Sequence, residues 1–303
     1  MADKGGSIRL GIIANASKPM VASILPLFLE WLKKEKIVIV LADDLSAIID
    51  TAGYATLPPA ETAQSCDFVL SFGGDGTFLQ TAHLIAPSEV PVIGVNLGAF
   101  GYLAEVSVDH LHERIADLQQ GKYRIQDRFM LEVRVDGKNE GSFHGLNDIV
   151  LDKGDFPRTI RLETSVNGEY LNSFNADGLI VSTPTGSTGY SLSVGGPILE
   201  PEVDAMIISP INPHMLANRP LVICGSKTVT IAAFSQGGHF QVIIDGQREL
   251  KLKSGEKVTI SRSSRRTRLV KFGDSTFYSL LRNKLHWRDQ LNRSEERTGM
   301  GES

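Results

Sequence analysis

Apolar runs and polar breaks alternate along the first third of the chain with the rhythm of a parallel α/β sheet. Short apolar runs at 8–14, 37–41, 68–72 and 92–96 predict strands. Helical spacing over 19–34 and after Thr77 predicts helices between them, and 109–120 reads as a capped helix with Leu111, Ile115 and Leu118 on one face, ended by Gly121. In such sheets ligands gather beyond the carboxyl ends of the strands.

From about Arg124 the period shortens. Leu131, Val133 and Val135 alternate with charged residues before Asp136-Gly137, and 160–166 runs into Asn167-Gly168, both hairpin signals. Further strands are expected at 179–183, 205–209, 221–223, 229–233, 242–244, 258–260 and 269–272, a pattern that favours a β-sandwich-like domain. Phe277, Leu280, Leu281 and Leu285 then form a helical stripe, followed by a charged tail from Arg288. Three segments result: an α/β domain over 1–124 with a Rossmann-like parallel sheet, an all-β domain over 125–273, and a helix with its tail over 274–303.

With 303 residues and 42% hydrophobic content the chain can bury two cores. A net charge of -4 and a pI near 6.0 provide no global attraction to nucleic acid or anionic lipid, so neither is an expected partner. Cys66 and Cys224 lie far apart without metal-ligand spacing, and no apolar signal segment or stretch of eighteen apolar residues occurs; a reducing cytoplasmic setting is expected.

The predicted strand at 68–72 runs straight into Gly73-Gly74-Asp75-Gly76-Thr77. Such glycines let backbone amides approach phosphate oxygens, and the helix expected from Thr77 adds the anion preference of its N-terminus. Neither Gly-x-x-x-x-Gly-Lys-Ser/Thr nor the Gly-x-Gly-x-x-Gly dinucleotide turn is present. Asp75 could be an ordinary turn aspartate; a phosphate site, in which it orients an attacking hydroxyl and takes its proton, accounts better for the glycine density.

A second constellation runs from Asn175 and Asp177 through Ser182-Thr183-Pro184-Thr185-Gly186-Ser187-Thr188-Gly189-Tyr190-Ser191-Leu192-Ser193 to Gly195-Gly196-Pro197. A Ser/Thr/Gly loop can be mere connection, yet hydroxyls and amides beside a tyrosine ring also make a nucleotide wall. Asn147-Asp148 could grip a ribose diol, although alone the pair reads as turn residues, and Asp245-Gly246-Gln247 reads as a hairpin turn. No metal triad emerges among the histidines: His83 lies on the helix after the glycine loop and His214 in a loop, where solvation is its ordinary fate. Trp31 and Trp287 are expected to pack, and Arg262, Arg265, Arg266 and Arg268 to form a solvated face.

In this order, Gly-Gly-Asp-Gly-Thr, then Asn-Asp, then the long run from Asp177, the chain closely resembles the bacterial NAD kinases over most of its length. Gly94-Val95-Asn96-Leu97-Gly98, Phe100-Gly101-Tyr102-Leu103 and Ser209-Pro210-Ile211 with Pro213-His214 extend the likeness. The glycine-aspartate turn alone is shared with lipid kinases and phosphofructokinases; the long run is specific. The resemblance implies an NAD site between an α/β domain and a β-sandwich-like domain, with the last helix returning to the first. It also implies phosphoryl transfer from ATP to the 2′-hydroxyl of the adenosine ribose of NAD, giving NADP and ADP. By matching positions Asp75 would be the base, Gly73, Gly74, Gly76 and Thr77 its phosphate turn, and Phe78 would lie along the adenine. Asn147 and Asp148 would hold ribose hydroxyls, and Asp177 with Thr188, Gly189, Tyr190, Ser191, Leu192 and Ser193 would line the dinucleotide. Arg158, Asn175 and Gln247 are carried over on shorter matches.

Asp148 stands where glutamate is frequent, Gly189 where alanine is, and Asn175 where the family varies, often with arginine. A divalent cation, magnesium, is implied as cofactor, with ATP or polyphosphate as donor and a homodimer or homotetramer as assembly. Two alternatives stay open at this point: a diacylglycerol-type lipid kinase, and a non-catalytic NADP-binding sensor.

Overall fold

A computed structural model describes residues 8–98, 101–137, 141–215, 217–273 and 276–287. The charged tail from Arg288, and Phe100 within the turn after the fourth predicted strand, lie outside the described residues. The chain divides into two compact units, one of 1–81, 90–126 and 269–303, the other of 82–89 and 127–268. No helix among the described residues is long and apolar enough to cross a membrane.

In the first unit, β1 (Arg9–Ala14), β2 (Val38–Ala42), β3 (Ala55–Leu57), β4 (Phe68–Gly73) and β5 (Val92–Asn96) form a parallel sheet in the order β5-β4-β1-β2-β3. Every residue of β4 is buried, as befits a strand covered on both faces. Helix α1 (Pro19–Lys34) starts with proline in its first turn, ends on Lys33 and Lys34, and buries Val21, Leu25, Phe28, Leu29 and Leu32 on one stripe. Trp31 stacks on Phe28 with centroids 5.9 Å apart, whereas Trp287, expected to pack, is 52% exposed. The short α2 (Pro59–Gln64) follows β3.

Helix α3 (Asp75–Ile85) begins two residues before the expected Thr77, because the carbonyl of Gly74 already accepts the Phe78 N–H at 3.0 Å. After β6 (Val106–Ser107), a 3₁₀ turn over Val108–His110 leads into α4 (Leu111–Gln119). Leu111, Ile115 and Leu118 are buried as expected, but Asp109 lies inside the 3₁₀ turn and no side chain caps the helix. Helix α6 (Phe277–Lys284) carries a Thr276/Ser279 capping box and buries Leu280 and Leu281.

The second unit is built from antiparallel sheets. One contains β7 (Arg124–Val135), β8 (Phe143–Gly145), β10 (Ile160–Val166), β11 (Glu169–Ala176), β15 (Val229–Phe234) and β18 (Lys257–Lys271). The other runs β14-β13-β12-β9-β16-β17, from β9 (Asp148–Asp152), β12 (Gly178–Ser182), β13 (Ala205–Ile211), β14 (Leu221–Cys224), β16 (His239–Ile244) and β17 (Arg248–Lys253). Inward residues of both, among them Leu131, Ile149, Leu162, Val181, Ile231 and Val242, share one apolar core, so the sandwich-like expectation holds.

Asn167-Gly168 and Asp245-Gly246 both take positive φ (50° and 81°, 50° and 64°), the geometry of two-residue hairpin turns. The runs expected at 258–260 and 269–272 fall in one strand, β18, whose buried positions change phase between Ile260 and Ser263, from Val258 and Ile260 to Ser263, Thr267 and Leu269. Strands β3, β6, β8, β9, β11 and β17 are not among the expected runs, most of them being short or polar.

Candidate active site

In the first unit the carboxyl end of β4 delivers the glycine turn directly into α3. A Cβ at Gly73 would stand 2.1 Å from Thr77 Oγ1, so the turn closes only with glycine there, while Gly76 faces open space. The carboxylate of Asp75 accepts the backbone N–H groups of Tyr102 (2.9 Å), Leu103 (3.0 Å) and Ala104 (3.1 Å). A Cβ at Gly101 would lie 1.9 Å from Asp75 Oδ1, so glycine is required at that approach too. Asp75 is half-buried, and Phe78 is 1% exposed, its ring pressed against Gly94 inside the core with no face offered to a base. Burial and the Asp75 charge push the Tyr102 phenol up.

Lys18 is the residue the sequence reading missed here. The loop after β1 is tied to β4 through Asn15 N–H to the Phe72 carbonyl (3.2 Å), and Lys18 Nζ comes within 3.7 Å of where a Gly74 Cβ would stand. The available signal was topological: β1 and β4 are neighbours in a parallel sheet, so the loops at their carboxyl ends converge.

In the second unit Asn147 and Asp148 sit at the start of β9, with Asp148 buried. Asp245, in the β16–β17 turn, holds them: Oδ1 accepts the N–H groups of Asn147 (2.7 Å) and Asp148 (2.9 Å), and Oδ2 accepts those of Leu146 (2.7 Å) and the His83 ring (2.7 Å). Burial, then the nearby Asp245 charge, push the Asp148 carboxyl up to about 7. Asn147 Oδ1 is buried with no hydrogen-bond partner.

The run after β12 wraps the same residues. Thr183 Oγ1 donates to the Leu146 carbonyl (2.7 Å) and accepts from Gly186 N–H (3.0 Å). A Cβ at Gly186 would be 2.1 Å from the Asn147 carbonyl oxygen, so the glycine lets two backbones touch. A 3₁₀ turn (Thr185–Thr188) and the single turn α5 (Tyr190–Ser193) then carry Tyr190 and Ser193 to the surface, with Thr188, Gly189 and Leu192 half-buried. Ser191 instead points inward, 3.1 Å from Ser209. A Cβ at Gly189 would pass 3.7 Å from both Asn147 Nδ2 and Asp148 Oδ2, and 3.3 Å from the Gly186 carbonyl.

Asp177, just before β12, pairs with Lys153 Nζ (2.6 Å) and accepts from Asn212 Nδ2 (3.0 Å); the lysine hydrogen bond chiefly holds its carboxyl below the usual range. Arg158 is exposed and bonded to Gln236 (2.9 Å), Asn175 is exposed on β11, and Gln247 is exposed beside the Asp245 turn. Among the described residues no group of three His, Cys, Asp or Glu side chains is placed to hold a metal ion.

Residues 10–123 match the ATP-NAD kinase N-terminal domain and residues 146–272 the ATP-NAD kinase C-terminal domain. Among curated proteins, an NAD kinase of Heliobacterium modesticaldum is 39% identical over 278 residues, covering 91% of this chain and 98% of that protein. One of Geotalea daltonii is 38% identical over 288 residues, covering 92% and 98%. Among solved structures, yeast NADH kinase complexed with NADH superposes with a TM-score of 0.82 at 24% identity, covering 90% of this chain and 86% of that one. An NAD kinase from Archaeoglobus fulgidus in complex with ATP gives 0.70 at 23% identity, covering 87% and 94%.

Proposed function

The chain belongs to the ATP-NAD kinase family and is an ATP-dependent phosphotransferase acting on NAD, and from that premise we propose which residues carry the reaction. Asp75 is the base for the 2′-hydroxyl of the adenosine ribose. The observation that carries this is its carboxylate, half-buried at the head of α3 and held by three backbone amides alone in the hydrogen bonds described. Two amides fall on Oδ1 and one on Oδ2, so the carboxylate keeps lone-pair capacity for a substrate hydroxyl without stranding an amide.

In the reaction the 2′ oxygen bonds to the γ-phosphorus as the bond from that phosphorus to the β–γ bridging oxygen breaks. The hydroxyl proton passes to Asp75, and ADP leaves with the electron pair. A loose transition state asks for position more than for strong basicity, which suits an ordinary carboxylate. The amides of the 73–77 turn and the Lys18 ammonium are the groups for the triphosphate. Asn147, whose side-chain oxygen has no partner, and Asp148 take the ribose diol; Tyr190, Thr188 and Ser193 line the dinucleotide. Magnesium, when bound with the nucleotide, would supply neutralisation of the triphosphate charge.

The test is NADP formation by Asp75→Asn from NAD, ATP and magnesium, alongside NAD binding to the same variant. Turnover lost with binding kept supports the base; a variant that turns over at the wild-type rate removes Asp75 from that role.

A further inference from the structure

Asp245 carries four hydrogen bonds on two oxygens, two to each, and its side chain is fully buried. Three come from consecutive backbone amides, Leu146 to Asp148. The fourth comes from a side chain distant in sequence: His83, in the last turn of the helix that begins at Asp75. An ionised carboxylate only accepts, so the imidazole must present Nε2–H to Oδ2. Asp245 has little freedom of its own. It occupies a positive-φ position of a hairpin turn, and its N–H is spent on the Asp148 carbonyl at 3.0 Å. The turn therefore aims the carboxylate, and the histidine completes its coordination.

We propose that His83 is a positioning residue for the acceptor: by donating to Asp245 it fixes the carboxylate that holds the Asn147-Asp148 turn in the geometry that receives the ribose diol. The imidazole is the one side-chain donor among the four, and it ties Oδ2 to the last turn of α3, which the amides of 146–148 do not reach. His83 touches no substrate in this scheme. Its side chain is 23% exposed, placing it at the edge of the unit rather than in its core.

The proposal rests on Asn147 and Asp148 holding the ribose, and the experiment separates the two. His83→Leu removes the donor and His83→Gln keeps one. For His83→Leu the KM for NAD is expected to rise about tenfold, the worth of one hydrogen bond to a charged group, with the KM for ATP little changed and kcat less affected than KM. His83→Gln should recover most of the loss. Amide hydrogen exchange at Leu146, Asn147 and Asp148, measured without substrate, should quicken in His83→Leu and return towards wild type in His83→Gln. A wild-type KM for NAD together with wild-type amide exchange in folded His83→Leu, or equal impairment of the two variants, overturns the positioning role. Quickened exchange with an unchanged KM keeps the link but removes these residues from the acceptor grip. Should His83→Leu not fold, His83→Asn, whose shorter amide falls back from Asp245, takes its place with the same readouts.

Discussion

Two aspartates in this chain each gather three consecutive backbone amides, and they do so for opposite ends. Asp75 takes Tyr102, Leu103 and Ala104 in the first unit; Asp245 takes Leu146, Asn147 and Asp148 in the second. Asp75 is half-buried beside the open flank of Gly76, whereas the Asp245 side chain is sealed and its remaining capacity filled by His83. The same local device thus yields an accessible carboxylate in one place and a permanent strut in the other. What differs is access to solvent and a fourth donor, and neither is a property of the aspartate itself.

The largest effect expected is on the accessible member. Asp75→Asn should cut kcat by about 10²–10⁴-fold, the range for a positioned acid or base, in a coupled assay of NADP formation, while its melting temperature stays close to wild type. Gly101→Ala sharpens the same point without touching the carboxylate. Its methyl would sit 1.9 Å from Asp75 Oδ1 and must expel it from the amide cradle, so kcat should fall by about 10²-fold, the cost of an ångström-scale misplacement.

The strut should answer through stability instead. Asp245→Ala leaves three amides, two of them buried, without an acceptor and is expected to cost about 3 kcal/mol or more in denaturant unfolding; a loss confined to activity would break the contrast. Gly186→Ala should cost about 1–3 kcal/mol, because its Cβ would lie 2.1 Å from a backbone oxygen that cannot move aside cheaply.

The smallest effect is a pH step. With the Asp148 carboxyl at about 7, the ionised form, which is the stronger hydrogen-bond acceptor for a ribose hydroxyl, gains over the protonated form as pH rises through 7. The KM for NAD should fall across that interval, and Asp148→Asn should flatten the step. Stability runs the other way. A carboxyl whose pKa is raised in the folded state binds more protons folded than unfolded between about 4 and 7, so its contribution declines as pH climbs through that window.

Much of the fold was legible along the chain. Pro19–Lys34 and Val92–Asn96 match the expected spans, because a helix stripe and a doubly covered strand both write their burial into sequence period. The long β18 was read as two pieces because its alternation changes phase between Ile260 and Ser263 and its middle buries Ser263 and Thr267, which do not register as apolar. Asn147-Asp148 looked like turn residues and Asp245 like a hairpin turn; the second reading is correct for its backbone and silent about its carboxylate. His83 offered no local signal at all, since its partner lies 162 residues away. Lys18 was likewise hidden in a loop whose neighbour is set by strand order.

By itself the sequence determined the alternation of strands and helices, the glycine turn around Asp75, the long Ser/Thr/Gly run and, through their order, the family. These are local patterns, written by backbone geometry and by side chains that must face one way. Only the tertiary structure decided which carboxylate is sealed and which stays open, that Phe78 is buried in the core, that Ser191 turns inward, and that His83 reaches Asp245. Solvent access and hydrogen-bond saturation arise when distant segments meet, and a linear pattern carries no record of that meeting.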